Sequence, residues 1–314
     1  MPLDFKEIVY GATAWAIKHP IAQEDIEPTF KFARQVFDET GFSGRRCALE
    51  VFAAYEPEAD LRYAEAVKTA AEKNNLIIVS TIFRPKGNPS MVSSDRRERK
   101  NAVAQFGRGL EFAVAATPDD IPVVVNGPFQ LVHGLGREEY LGRTRRGYLI
   151  DCLKQIGNIL EAKKAYAALE VLRQSETKMN SQPEYWLSLL NKVGSFRLGL
   201  LVDTVHFFEG NKNNVEQMLI DVNNVCREGR CYSVHLSNRP RTEWEEKGDI
   251  AKHTGAILQT LKRYGCNVTV DYEGFDHSLD NVVGINRRPD QKDQIEVFKR
   301  SMAYLAGHVK RATG

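Results

Sequence analysis

Among the ionisable side chains that interrupt apolar runs in the second half of this 314-residue chain, five fall toward the ends of their runs. Glu170 lies in YAALEVL (166–172), Asp203 and His206 in LGLLVDTVHFF (198–208), His235 in YSVHLSN (232–238) and Glu273 in NVTVDYEGF (267–275). A carboxylate left alone among apolar neighbours costs on the order of several kcal/mol. A shared cation removes that cost. Glu170, Asp203 and Glu273 supply oxygen and His235 supplies nitrogen, a hard-to-borderline donor set. Such a set suits Mn2+, Mg2+, Co2+ or Fe2+ better than a thiolate-bound structural zinc. Each residue taken singly reads as a cap or an ion-pair partner; four of them in four successive runs read as one site. Glu50, in CALEVFAA (47–54), is a similar carboxylate outside that set and reads as a structural group behind the site.

For these residues to meet, their runs must be neighbours. The chain repeats one event eight times: a short apolar, β-rich run, then a longer amphipathic stretch. The other runs are IVYGATAW (8–15), LIIVSTIF (76–83) and IPVVVNGP (121–128). Nearly continuous apolar character marks strands buried on both faces, as in a parallel sheet. Between them, stretches such as 28–40, 60–74, 98–116, 147–165 and 251–265 place apolar residues three and four apart, one buried stripe each. A last helix is expected over 294–312. Eight βα units predict an α/β fold: a single (β/α)8 TIM barrel domain over 1–314, with its active site at the C-terminal ends of the strands. An open doubly wound sheet is the other option, and no GxGxxG follows the first strand. Segments 84–97 and 128–146 read as long loops on the active-site face.

The bulk composition agrees. Hydrophobic residues make up 42% and charged residues 27%, enough for a large core and a wet surface. With 43 basic and 41 acidic residues the chain carries no general footprint for nucleic acid. No apolar run approaches the roughly 18 residues that span a membrane. The N-terminal stretch lacks the pattern of a signal peptide. Five cysteines without CxxC spacing fit reduced, buried thiols in a cytoplasmic protein.

Three blocks carry a resemblance. LEVLRQSETKMN (169–180) is similar to a Glu-Pro-Leu-Asn-Arg-x-Glu-Thr stretch, and GLLVDTVHFF (199–208) to a Leu-Asp-x-x-His block. The third runs from VHLSNRPR (234–241) through KGDI (247–250) to VTVDYEGF (268–275). Weaker echoes are SMVSSDRRERKNAV (90–103) and VVVNGP (123–128). The chain thereby resembles the xylose-isomerase-like barrel superfamily of sugar isomerases and epimerases, and within it most the ketose 3-epimerases.

That resemblance implies one divalent ion, Mn2+ foremost, on Glu170, Asp203, His235 and Glu273. It implies substrate contacts from Glu176, His206 and Arg241. It also implies a small sugar or sugar-derived substrate, and relatives of this kind are often dimers or tetramers. Val171 stands where the family has proline, Gln174 and Ser175 alter the same stretch, and TEWEEKGD replaces a Pro-Gly-rich loop. These departures bear on the substrate more than on the ion. The expected chemistry moves the proton beside a ketone through an enediolate, whose charge a divalent ion neutralises. Glu170 and Glu273 would be the catalytic pair, one taking the proton and the other returning it from the opposite face. His206 would hydrogen-bond the developing oxyanion; its plainer role is to orient Asp203.

Other chemistries share this site. A lyase or dehydratase would expel a β-substituent from the same intermediate, and an aldose–ketose isomerase differs only in which proton moves. An abasic-site endonuclease needs several zinc ions, yet no Asp-x-His follows His235 and the early runs carry no histidine at their ends. A sugar-binding protein without catalysis fits poorly with two retained glutamates. Trp15, Phe83 and Trp244 are candidates for an apolar wall, whereas His133, His253 and His277 have no assigned partner. No Gly-rich phosphate cradle stands out, which favours an unphosphorylated sugar.

Overall fold

A computed structural model describes residues 5–14, 21, 23–52, 61–81, 90–128, 142–172, 181–238, 248–273 and 291–313. Eight strands alternate with helices: β1 (Val9–Thr13), β2 (Cys47–Phe52), β3 (Leu76–Thr81), β4 (Val124–Gly127), β5 (Tyr166–Glu170), β6 (Leu198–Asp203), β7 (Cys231–Leu236) and β8 (Thr269–Tyr272). Every strand pairs in parallel with its neighbours, and β8 pairs back onto β1, so the sheet closes. The expected barrel is therefore the observed one. Closure also leaves no strand edge exposed.

The main helices among the described residues are α1 (Ile26–Phe37), α2 (Leu61–Lys73), α3 (Arg96–Ala116), α4 (Arg143–Ala162), α5 (Pro183–Val193), α6 (Thr204–Gly210), α7 (Val215–Arg227), α8 (Thr254–Arg263) and α9 (Gln291–Thr313). Each of the long ones lays an apolar stripe on the barrel. Phe30, Ala33 and Phe37 of α1 and Phe298, Met302 and Leu305 of α9 are all buried. Each large apolar side chain removed from water contributes about 1.5–3 kcal/mol. No helix among the described residues is long and apolar enough to cross a membrane. All five cysteines are free and buried.

Three boundaries differ from the sequence reading. The run 198–208 is not one strand: it is strand to Asp203 and helix from Thr204. The cause is local. The Asp203 carboxylate accepts from the backbone N–H groups of Val205 (2.8 Å) and His206 (3.2 Å), which caps the helix start. The apolar VHFF is thus the buried face of α6, where Val205, His206, Phe207 and Phe208 are all buried. The expected loops 84–97 and 128–146 end earlier than anticipated, because α3 begins at Arg96 behind the cap Asp95 and α4 begins at Arg143.

Register puts the polar residues at matching heights. Asp203 pairs with His235 across β6 and β7, and His235 with Asp271 across β7 and β8. Gly11 pairs with Asp271 across β1 and β8, and Thr13 with Glu50 across β1 and β2.

Candidate metal centre

Glu170 ends β5, Asp203 ends β6, His235 is the fifth residue of β7 and Glu273 follows β8 directly. All four are buried, between 0% and 6% exposed, so their charges are poorly screened. They form two overlapping groups rather than one ring. One ligand atom each from Asp203, His235 and Glu273 lie within 4.8 Å of one another, as do one each from Glu170, Asp203 and His206. Asp203 belongs to both groups.

The details follow from the elements. Asp203 spends Oδ1 on three donors: the two cap N–H groups and Ser237 Oγ at 2.9 Å. Its Oδ2 faces His206 Nε2 at 3.6 Å, and the same nitrogen stands 3.3 Å from Glu170 Oε1. His206 reaches that position because α6 starts at once after Asp203 and turns the imidazole, 2% exposed, back over the strand ends. His235 points one ring nitrogen to each side: Nδ1 lies 3.6 Å from Glu273 Oε2, and Nε2 lies 2.7 Å from Glu50 Oε2. Burial works against a charged ring there, but Glu50 and Glu273 outweigh it and hold His235 well above its usual value.

Beneath this lies a polar layer that the sequence reading did not assemble. Glu50, His235 and Asp271 form a third close group of ionisable residues. Asp271 is fully buried, and neither of its oxygens has a hydrogen-bond partner among the described residues. Burial and then the charge of Glu50 push its carboxyl up to about 8. Glu50 is better provided: its Oε1 accepts from Thr81 Oγ1 and, at 3.0 Å, from Asn126 Nδ2. Asn126 also donates to Ser233 Oγ (3.0 Å), which shares a hydrogen bond with Thr269 Oγ1 (2.9 Å). The wire therefore crosses the barrel from β2 and β3 through β4 to β7 and β8. Alternation was the available signal: Thr269, Asp271 and Glu273 are two apart, as are Ser233, His235 and Ser237, so each trio shares a strand face.

Glu176 and Arg241 lie outside the described residues, as do Trp15, Phe83, Trp244, His133 and His277. His253 closes the one-turn helix Ala251–His253, before α8. Burial pushes the Cys47 and Cys152 thiols up to about 11.

The sequence model of the xylose isomerase-like TIM barrel matches residues 39–306. The chain belongs to that family. Solved structures of similar shape agree with the family's fold. An L-ribulose 3-epimerase superposes with a TM-score of 0.78 at 18% identity, over 98% of this chain and 96% of the other. A D-psicose 3-epimerase determined with D-fructose gives 0.76 at 15%, over 98% and 100%. A 3-keto-D-glucoside 4-epimerase from E. coli gives 0.66 at 16%, over 96% and 100%. At such identities the likeness carries the fold alone. No curated protein matches the chain in sequence.

The donors present fit a divalent ion. Two buried carboxylates stand within 4.8 Å of each other in each group, and Asp203 has committed one oxygen to the backbone while its other faces His206. Oxygen donors with one imidazole are the company of Mn2+, Mg2+, Co2+ and Fe2+.

Proposed function

We propose that this family member is a divalent-metal-dependent sugar epimerase, a ketose 3-epimerase in the first instance. The observation that carries the reading is the gathering of Glu170, Asp203, His206, His235 and Glu273 at the C-terminal ends of β5–β8, where barrels of this kind place their chemistry. The 3-epimerases among the structural neighbours support it.

In this reading Glu170, Asp203, His235 and Glu273 hold the ion, Mn2+ foremost. Once bound, the ion supplies Lewis-acid stabilisation of the oxygen that gains charge beside the reacting carbon. The protein's own groups do the rest. Glu170 and Glu273 belong to different close groups that share Asp203, and in this reading they reach the reacting carbon from opposite faces. One takes the proton at the carbon next to the carbonyl, and the other returns one to the opposite face. His206 Nε2, beside Glu170, donates to the substrate oxygen. Glu176 and Arg241 hold substrate hydroxyls in register. Burial keeps bulk water from competing for the proton.

The test is hydrogen exchange in D2O. Ion-loaded protein is incubated with free ketoses, ketose phosphates and keto-glycosides, with Glu273→Gln as control. Deuterium at C3 of one ketose, reduced about 10²–10⁴-fold in the variant, is the expected result. Deuterium at C1 or C2 instead would make it an aldose–ketose isomerase, and loss of a substituent a lyase. No exchange with any substrate would remove the epimerase reading.

A further inference from the structure

We infer that Ser237 is a positioning residue for Asp203: its hydroxyl holds the carboxylate in the plane that turns Oδ2 toward His206 and the proposed ion. The inference rests on that ion, because Oδ2 is the oxygen that faces the Glu170–His206 group.

At Thr204 the chain leaves β6 and enters α6. The last pair of the β6–β7 ladder is Asp203 with His235. Beyond it a helical backbone cannot continue the pairing, and a side chain takes over. Thr204 Oγ1 accepts from the Ser237 N–H at 3.0 Å and donates to the Ser237 carbonyl at 2.9 Å. One hydroxyl therefore meets both backbone groups of Ser237, which burial obliges to find partners. Ser237 is thus fixed against the start of α6, and its own Oγ donates to Asp203 Oδ1 at 2.9 Å. Asp203, Thr204 and Ser237 are all fully buried, so water does not compete for these bonds.

Asp203 needs this third donor. The terminal torsion of an aspartate is broad, so rotamer preference alone does not set the plane of the carboxylate. The cap N–H groups of Val205 and His206 hold Oδ1, but both belong to the helix that Asp203 itself begins. A carboxylate held only from that side can pivot about Oδ1 and swing Oδ2. The Ser237 hydroxyl comes from the end of a different strand, and its bond stops the pivot. With the plane set, Oδ2 lies 3.6 Å from His206 Nε2, on the side of the group formed with Glu170. Partners of this kind behind a metal-ligating side chain orient it, and their loss weakens the ion about 10–100-fold.

Two substitutions separate the hydrogen bond from the space it fills. Ser237→Ala removes the hydroxyl and leaves both backbone bonds to Thr204 in place. Ser237→Cys refills the volume with a thiol, which is a weak donor. A hydroxyl that acts by its hydrogen bond predicts that both variants lose ion affinity alike. A hydroxyl that merely fills space predicts that cysteine restores what alanine loses.

Two measurements decide it. The first is Mn2+ affinity by calorimetry, with circular dichroism to confirm that each variant is folded. A loss of about 10–100-fold in both variants is expected; affinity unchanged in either one overturns the inference. The second is a pair of crystal structures, wild type and Ser237→Ala, grown in EDTA. The expected result is an Asp203 carboxylate turned out of its wild-type plane in the variant, with Oδ2 drawn away from His206. The same plane in both proteins overturns the inference. Should the wild type bind no Mn2+, Mg2+ or Co2+, the proposed ion fails, and the pair of structures still decides whether Ser237 orients Asp203.

Discussion

The first four strands carry Thr13, Glu50, Thr81 and Asn126 near their C-terminal ends, with one ionisable group among them. The last four carry Glu170, Asp203 and His235, and Asp271 and Glu273 at the end of β8. Both halves are equally buried and belong to one closed sheet, yet they solve the cost of burial in different ways. In the first half a lone carboxylate, Glu50, takes two neutral donors, Thr81 and Asn126, on one of its oxygens. In the second half carboxylates stand within 4.8 Å of one another and of a histidine in two overlapping groups, an arrangement that suits a shared cation. His235 is the hinge between the two, with Nε2 in the first arrangement and Nδ1 in the second.

The contrast can be broken most forcefully at Asp203. Asparagine caps a helix about as well as aspartate does, so Asp203→Asn should keep α6 and change stability by only a few tenths of a kcal/mol, while ion affinity falls at least about 100-fold. Calorimetry for binding and thermal denaturation for stability separate the two duties of one side chain. Large unfolding would mean that the carboxylate serves the fold first.

Asp271 gives the next effect, through pH. Its carboxyl is raised from 3.8 to about 8 by burial and by Glu50. The protonated form therefore contributes its full stability to the ion-free fold below about pH 4, and that contribution drains away as pH rises through about 8. In EDTA, the midpoint of thermal unfolding should decline over this window, and Asp271→Asn should flatten the decline. An equally steep decline in the variant would acquit Asp271 of any part in it.

Close packing is tested at one glycine in each half. A Cβ on Gly11 would lie 2.4 Å from both Ala48 O and Asp271 Oδ1, and one on Gly199 would lie 2.3 Å from the Tyr232 ring. Gly11→Ala and Gly199→Ala should each cost about 1–3 kcal/mol in urea unfolding, as overpacked cores do. Gly11→Ala should also disturb the Glu50–Asp271 layer and so alter that pH-dependent decline; Gly199→Ala should leave it alone. Smallest are the caps. Asp95→Ala before α3 and Asn214→Ala before α7 each remove one side-chain acceptor from a helix N-terminus, worth about 1 kcal/mol and alike in the two halves. Unlike costs would show that the halves differ in more than their interior chemistry.

The sequence made the second half legible and the first half nearly opaque. Glu170, Asp203, His235 and Glu273 stand out because each is a charge in an apolar run, and successive runs must be neighbours in a barrel. Glu50 was visible by the same rule, but its partner was not: Asn126 is a neutral residue in VVVNGP, and its reach across the barrel to Ser233 exists only once the ring has closed. Asp271 is hidden differently. A polar residue alternating with apolar ones reads as solvent-facing in an ordinary sheet, whereas in a barrel that face is the interior. His206 was read in a strand and sits on a helix, because Asp203 turns the chain with its own carboxylate.

The pairing of β8 with β1 has a consequence for how the molecule is made. During synthesis, β1 leaves the ribosome early and its partner β8 follows only after more than two hundred and fifty residues. Until then the growing sheet has two raw margins, and domains exposing unpaired strands are those that most need chaperones. The donors of the candidate centre are also spread from residue 170 to residue 273. A stalled or prematurely released chain would therefore hold an incomplete donor set and an open sheet together. Such fragments are recognisable as defective by the same missing strand that keeps them inactive.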